Sequence, residues 1–284
     1  VLRSTDISPL ARLVRRVDAA ADGATSTDAF ATGFPSLDKA LGGGVRVGDL
    51  IVLGGEVGAG KSALALAMAL RMAQSGTPTA FFTQEMTVER VLERALAIEG
   101  RARVDEIRAG TLDDMTRAAL GAAALRLRDR APTIELLPSE GPAAVIDALR
   151  RTLDTPVVFL DPLQGMARGV LTHDEELASA VRVLKAAAVE LHVAIVLTAH
   201  LAPMDASRTD RRPVLEDFGA LGAVAQHADI VLGLYREEMV QPGNGVEGAT
   251  ELLLRKNRNG NTGYVDLYFY KQWLRFEDML DPDR

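Results

Sequence analysis

Two periods of apolar residues alternate along this chain. Strand-length apolar runs stand at residues 50–53, 79–83, 157–160, 193–197 and 230–234. Between them the spacing changes to that of amphipathic helices. Val88, Val91, Leu92, Ala95 and Leu96 fall on one such face, with Gly100 as the expected stop. Leu177, Val181, Leu184 and Leu191 mark another. Apolar strands joined by helices predict an α/β fold, a mostly parallel sheet with helices on both faces. The end of the chain differs. Residues 250–255 and 264–270 flank a turn-rich stretch at 257–263, which predicts a C-terminal antiparallel hairpin closing one side of the sheet.

The beginning differs too. Ile7, Leu10, Val14 and Val17 share one helical face, with Arg12, Arg15 and Arg16 mostly off it, and a polar stretch follows at 22–28. Residues 1–28 therefore read as an arm helix over 5–20 and its linker, and 29–284 as the α/β domain. The helix packs either on its own domain or on a neighbouring subunit.

Composition narrows the chemistry. With 284 residues and 48% apolar content the chain can bury one large core or two modest ones. It has no cysteine, and His173, His192, His200 and His227 lack metal-ligand spacing, so neither a disulfide nor a zinc site is expected. No run of eighteen apolar residues and no secretory leader is present, so the expected compartment is the cytoplasm, without a membrane partner. The net charge of −7 is not that of a nucleic-acid coat, although local basic clusters can act within an acidic whole.

One motif carries most of the chemical information. The run at 50–53 leads into Gly55, Glu56, Val57, Gly58, Ala59, Gly60, Lys61 and Ser62, and then, from Ala63, into an Ala/Leu/Met helix. That is a phosphate-binding loop in its strand–loop–helix context. Its glycines let backbone amides approach a phosphate, and the new helix adds its positive end. Lys61 is placed to reach the β- and γ-phosphates of a nucleotide, and the Ser62 hydroxyl to ligate Mg²⁺. Asp161 ends an apolar run, where a carboxylate at the carboxyl edge of a buried strand can hold the Mg²⁺ shell. Pro162 follows, so no glutamate there activates water. Glu85, at the end of the 79–83 run, is a candidate to orient the attacking water, or is an exposed acid at a strand end.

Two basic features remain. Lys256 and Arg258, two residues apart near the hairpin turn, could stabilise γ-phosphate charge in the transition state, or be a solvated edge that resists aggregation. Arg208, Arg211 and Arg212, in a polar loop at 205–213, are either contacts for a nucleic-acid backbone or a solvated loop.

Taken in order, these motifs resemble the ATPase domain of the DnaB-type replicative helicases, a branch of the RecA-like phosphate-loop NTPases. The resemblance extends over most of the chain. It begins at Thr32, Gly33, Phe34, Pro35, Ser36, Leu37 and Asp38 and passes through Gly48 and the phosphate loop to Phe81, Phe82, Thr83, Gln84, Glu85 and Met86. It closes on Gln226, His227, Ala228 and Asp229, on Tyr235, Arg236 and Glu237, and on Lys256 to Gly263. It implies ATP and Mg²⁺ as cofactors, Glu85 as the catalytic glutamate and Asp161 as the Mg²⁺-associated aspartate. Lys256 and Arg258 become a lysine and an arginine finger acting on the adjacent subunit. It also implies a homo-oligomer, usually a hexameric ring, with single-stranded DNA in its pore, and loader or primase proteins as partners. The arm helix then grips the next subunit.

The chain departs from this family in three places. His200 stands where the family usually carries a γ-phosphate-sensing glutamine; histidine still hydrogen-bonds there, with a charge that depends on pH. Asp161–Pro162 replaces Asp–Tyr. Phe218, Gly219, Ala220, Leu221 and Gly222 replace Leu-Arg-Glu-Ser-Gly in the DNA-contacting loop, so backbone amides at Gly219 and Gly222 and the nearby arginines would have to supply the contacts. Three functions follow: a ring-forming helicase, an ATPase switch that controls protein assembly without unwinding, and a nucleotide-dependent scaffold with little turnover. Lys61, Ser62, Glu85, Asp161 and Arg258 together argue against the scaffold.

Overall fold

The computed structural model describes residues 8–22, 28–152, 154–204, 207–240, 243 and 246–279. In chain order the elements are α1 (Pro9–Ala21), β1 (Ala29–Phe30), α2 (Pro35–Ala40), β2 (Val45–Arg46), β3 (Leu50–Gly55) and α3 (Lys61–Gln74). Then come β4 (Thr79–Thr83), α4 (Val88–Gly100), α5 (Val104–Ala109), α6 (Asp114–Arg130), β5 (Thr133–Leu136), α7 (Pro142–Arg151) and β6 (Val157–Asp161). The remainder are α8 (His173–Leu191), β7 (Ala194–His200), α9 (Ala223–His227), β8 (Ile230–Tyr235), α10 (Glu237–Val240), β9 (Ala249–Asn257), β10 (Gly263–Tyr270) and β11 (Arg275–Asp278).

A nine-stranded sheet in the order β11-β10-β9-β8-β3-β7-β6-β4-β5 organises the molecule. From β5 to β8 neighbouring strands are parallel, and β9, β10 and β11 continue antiparallel. The apolar runs become strands because both faces are covered. Ile51, Leu53, Phe81 and Phe159 join one core with α3 and α4. Leu50, Val52, Phe82 and Leu160 join the other, against α7 and α8. Helix α3 is buried nearly all round, as its Ala, Leu and Met composition requires.

The expected α/β architecture is observed, with differences of detail. The predicted hairpin is three-stranded, because the short run Arg275–Asp278 pairs antiparallel with β10. Asn257 lies within β9 rather than in the turn. Gly100 is the last helical residue of α4, and Arg101 takes the left-handed cap at φ 50°. A Cβ on Gly100 would lie 2.6 Å from the Cδ2 methyl of Leu120, so α6 packs closely there. Helix α1 exposes Leu10, Leu13, Val14 and Val17. The Ile7 end of the predicted arm and residues 23–27 of its linker lie outside the described residues.

Candidate active site

Strand β3 is buried along its whole length and delivers the chain to Gly55 at the carboxyl edge of the sheet. The loop that follows turns on Gly58 and Gly60, at φ 82° and 105°. A side chain is excluded on steric grounds as well. A Cβ on Gly60 would lie 2.9 Å from the Phe276 ring, and one on Gly54 would lie 2.4 Å from Phe218. Phe276 itself stacks on Phe269 at 4.3 Å. Arg236 holds the loop from the side: Nη1 donates to the Gly58 carbonyl at 3.4 Å, Nη2 pairs with Glu238, and the guanidinium lies 4.8 Å over Phe269. Helix α3 opens at Lys61, so the N–H groups of its first turn belong to Lys61, Ser62 and Ala63, which line the adjoining cavity.

Ser62 Oγ donates to Asp161 Oδ1 at 2.9 Å, and the Thr198 hydroxyl donates to the same oxygen. Asp161 is 1% exposed, and its Oδ2 is buried without a hydrogen-bond partner. Burial raises the Asp161 pKa, against the opposing hydrogen bonds from Thr198 and Ser62. A buried carboxylate oxygen without a partner, next to a hydroxyl, suits a hard cation with oxygen ligands. The described residues contain no cluster of three or more acidic or histidine side chains that could hold a metal alone. Mg²⁺ does not need one, since it takes one or two protein oxygens and completes its shell with phosphate and water.

Lys61 bends back over the loop, donating to the Gly55 carbonyl at 2.9 Å and the Glu56 carbonyl at 3.0 Å. Burial lowers its pKa, and Asp161, Glu85 and Glu56 oppose that shift electrostatically. Opposite it, His200 Nε2 lies 3.5 Å from Glu85 Oε1. The His200 backbone is fixed by the Gln164 carboxamide, which accepts from its N–H at 3.0 Å and donates to its carbonyl at 3.3 Å. The cavity between these groups is about 460 Å³, lined by Lys61, Ser62, Glu85 and His200 among others.

Three cations in that lining had no role assigned from the sequence: Arg94, Lys271, and Arg236, which entered only as part of the resemblance. Arg94 had a visible signal. It occupies the i+3 place in the stripe Val91, Arg94, Ala95, Ile98, whose other members are at most 2% exposed. Burial lowers its pKa, and the charges of Asp161 and Glu85 oppose this.

Lys256 and Arg258 lie elsewhere. Arg258 Nη1 donates to Asp229 Oδ1 at 3.0 Å, and Nη2 to the Gln226 carbonyl at 2.9 Å. Lys256 Nζ donates to the Ala225 and Gln226 carbonyls. Asp229 in turn accepts from the Leu50 N–H, at the start of β3. The phosphate loop begins at the other end of that six-residue strand, about 17 Å away at roughly 3.3 Å per residue. These two cations therefore do not line the phosphate cavity of their own chain.

The arginine loop is also arranged differently from a free basic patch. Arg208 Nη1 donates to both oxygens of Asp217 at 2.8 Å. Arg212 makes a bidentate pair with Glu251 at 2.7 and 2.6 Å and lies 5.0 Å over Tyr235. Arg211 is half-buried, and residues 205–206 lie outside the described part. Nearby, Gly219, Ala220, Leu221 and Gly222 all have positive φ, between 50° and 77°, and Leu221 is 65% exposed. This loop shows an aliphatic tip rather than a polar one.

The comparisons with known proteins agree with this geometry. Residues 29–278 match the family model of the DnaB-like helicase C terminal domain. The chain belongs to that family. Among its relatives, the replicative DNA helicase DnaB of Leifsonia xyli subsp. xyli is 32% identical over 254 residues, covering 87% of this chain and 55% of the relative. The DnaB of Geobacillus stearothermophilus is 29% identical over 255 residues, covering 87% and 56%. The chain thus spans about half the length of these DnaB relatives. The fold is shared with a separately solved ATPase domain, with TM-score 0.88, 23% identity, and coverage of 98% of this chain and 100% of that one. A DnaB-like replicative helicase solved for its interactions with primase gives TM-score 0.84 at 23% identity, covering 96% of this chain and 67% of that one. Among the described residues of this DnaB-like chain, no helix is long and apolar enough to cross a membrane.

Proposed function

We propose that this chain is the ATP-hydrolysing motor core of a ring-forming, DnaB-like helicase that moves along single-stranded DNA. The observation that carries the reading is the separation of two half-sites. The phosphate loop, Ser62, Glu85 and His200 line one cavity, with Asp161 hydrogen-bonded to Ser62, while Lys256 and Arg258 are held at the opposite edge of the sheet. A cation that cannot reach its own chain's phosphates can serve a neighbour's, which requires a head-to-tail oligomer; the hexameric ring is the closed form we infer.

Within one site, Lys61 and the first-turn amides of α3 bind and orient the β- and γ-phosphates of ATP. Ser62 and Asp161 would hold Mg²⁺, whose chemistry there would be neutralisation of charge on the phosphate oxygens. Glu85 orients the attacking water and accepts its proton, and His200 contacts the γ-phosphate from the end of β7. Lys256 and Arg258 of the adjacent subunit complete the site. The apolar face of α1, with Leu10, Leu13, Val14 and Val17 exposed, docks on that same neighbour, so residues 1–28 act as an arm to the ATPase domain at 29–284. Loader or primase proteins are partners we infer from the DnaB relatives, with the cytoplasm as the compartment.

ATP turnover measured with and without single-stranded DNA tests the proposal. Stimulation by DNA, lost in Lys61→Ala, is the expected result. Turnover indifferent to DNA, with no DNA binding, would overturn the helicase reading in favour of the assembly switch.

A further inference from the structure

Arg258 does not stand free at its edge of the sheet. Its guanidinium is held by Asp229, whose side chain is about 6% exposed, and its backbone N–H donates to the Asp229 carbonyl at 2.9 Å. The second Asp229 oxygen, Oδ2, is occupied by the Leu50 N–H at 2.8 Å and by Lys185 Nζ at 2.6 Å. Lys185 projects from α8 and also donates to the Gly48 carbonyl at 2.7 Å. One buried carboxylate therefore ties together the first residue of the phosphate-loop strand, the long helix α8 and the guanidinium of Arg258.

We propose that Asp229 is the positioning residue for Arg258, fixing where that cation is presented to the neighbouring subunit's nucleotide. The inference rests on the reading of Arg258 as a cation acting in trans. A guanidinium on an exposed turn samples many rotamers, and fixing one in advance removes that entropy from the transition state. The two oxygens of Asp229 divide this work. Oδ2 serves the scaffold through Leu50 and Lys185, and Oδ1 serves Arg258. Arg258 is thereby registered to β3, so its position is tied to the same strand that carries the phosphate loop on the far side.

Asp229→Asn separates the two roles. The amide oxygen can still accept from Leu50 and Lys185, whereas its NH₂ faces a guanidinium that it cannot bind. The full chain carrying Asp229→Asn should lose about 10- to 100-fold in kcat, with its own ATP affinity changed less than about twofold. Mixed with Lys61→Ala protein it should regain turnover to the same extent as Arg258→Ala does in that mixture, because its phosphate loop meets intact Arg258 on the partner. The double variant Asp229→Asn with Arg258→Ala should be no slower than Arg258→Ala alone. A purely structural role predicts additive losses and no recovery on mixing, and either result overturns the proposal. If Arg258→Ala itself is not rescued by Lys61→Ala protein, the trans reading fails instead. Should Asp229→Asn not fold, the same measurements on Asp229→Asn combined with Lys185→Met, which also removes the partnered ammonium, decide between these outcomes.

Discussion

Ser62 and Asp161, 99 residues apart in sequence, meet through a 2.9 Å hydrogen bond that leaves the other carboxylate oxygen of Asp161 buried without a partner. Burial raises the pKa of that carboxyl, so a proton competes for the oxygen at a higher pH than at an ordinary aspartate, near about 3.9. Mg²⁺-dependent nucleotide affinity should therefore weaken as pH falls toward the raised value. Stability without nucleotide runs the opposite way. The folded state holds this proton more tightly than the unfolded chain, so the group's contribution declines as pH rises from its unfolded pKa through the folded one. Calorimetric melts of wild type and Asp161→Asn across pH 4–8 should differ by that slope (a range that starts at the usual carboxylate value, about 4, and runs upward), and Mg²⁺ titration should lose its pH dependence in the variant.

Glu85 lies half-exposed beside His200 at the cavity mouth. Glu85→Gln should retain nucleotide binding while turnover falls by roughly 100- to 10,000-fold, the usual scale for a positioned general base. Single-turnover hydrolysis set beside equilibrium binding of a fluorescent ATP analogue checks both halves. Near-native turnover would move the base elsewhere.

Arg94 lines the same cavity from α4, half-buried beside the apolar stripe of Val91, Ala95 and Ile98. It has no carboxylate partner within ion-pair distance among the described residues, so an incoming phosphate is the anion it can serve. Arg94→Met keeps the packing of the aliphatic stem and removes the charge. ATP affinity should fall by about 10- to 100-fold, the range of a lost charge-assisted hydrogen bond, with little change in melting temperature.

Gly60 combines a left-handed φ of 105° with a Cβ direction that ends 2.9 Å from the Phe276 ring. Gly60→Ala should displace the loop from its aromatic backing and cost about 1–3 kcal/mol of stability. The loss of nucleotide binding should exceed that, since the displaced backbone is itself the phosphate cradle. Thermal melts with and without ATP separate the two effects. A variant that melts like the wild type and still gains stability from ATP would show that the loop tolerates a side chain.

Arg258→Ala should lower kcat by about 10³- to 10⁵-fold, as expected for a finger on the transferring phosphoryl group. It should do so without weakening ATP binding to its own phosphate loop. Mixing it with Lys61→Ala protein places an intact loop opposite an intact Arg258 at about one interface in four for random assembly. Turnover recovered above that of either variant alone is the expected outcome; additive inactivity would place Arg258 in its own site.

By itself, the sequence determined the features that depend on neighbours along the chain. The strand-length apolar runs became β3, β4, β6, β7 and β8, because both of their faces are covered. The Gly/Lys/Ser spacing after β3 became the loop, because glycine conformations and a helix start are local properties. Tertiary structure decided what distance along the chain conceals. Only the sheet order brings Ser62 and Thr198 onto Asp161, and only the packing of α4 turns Arg94 into the cavity. The short edge strand β11 had no periodic signal of its own, since four residues acquire strand geometry from the partner they pair with. Arg208 and Arg212 looked like a basic patch because sequence counts charges but not their partners; folding brings Asp217 and Glu251 to them. The same reason governs Arg258. Its charge was legible in the chain, but its hold on Asp229 and its place a strand's length from the phosphate loop follow from strand pairing that joins residues far apart in sequence.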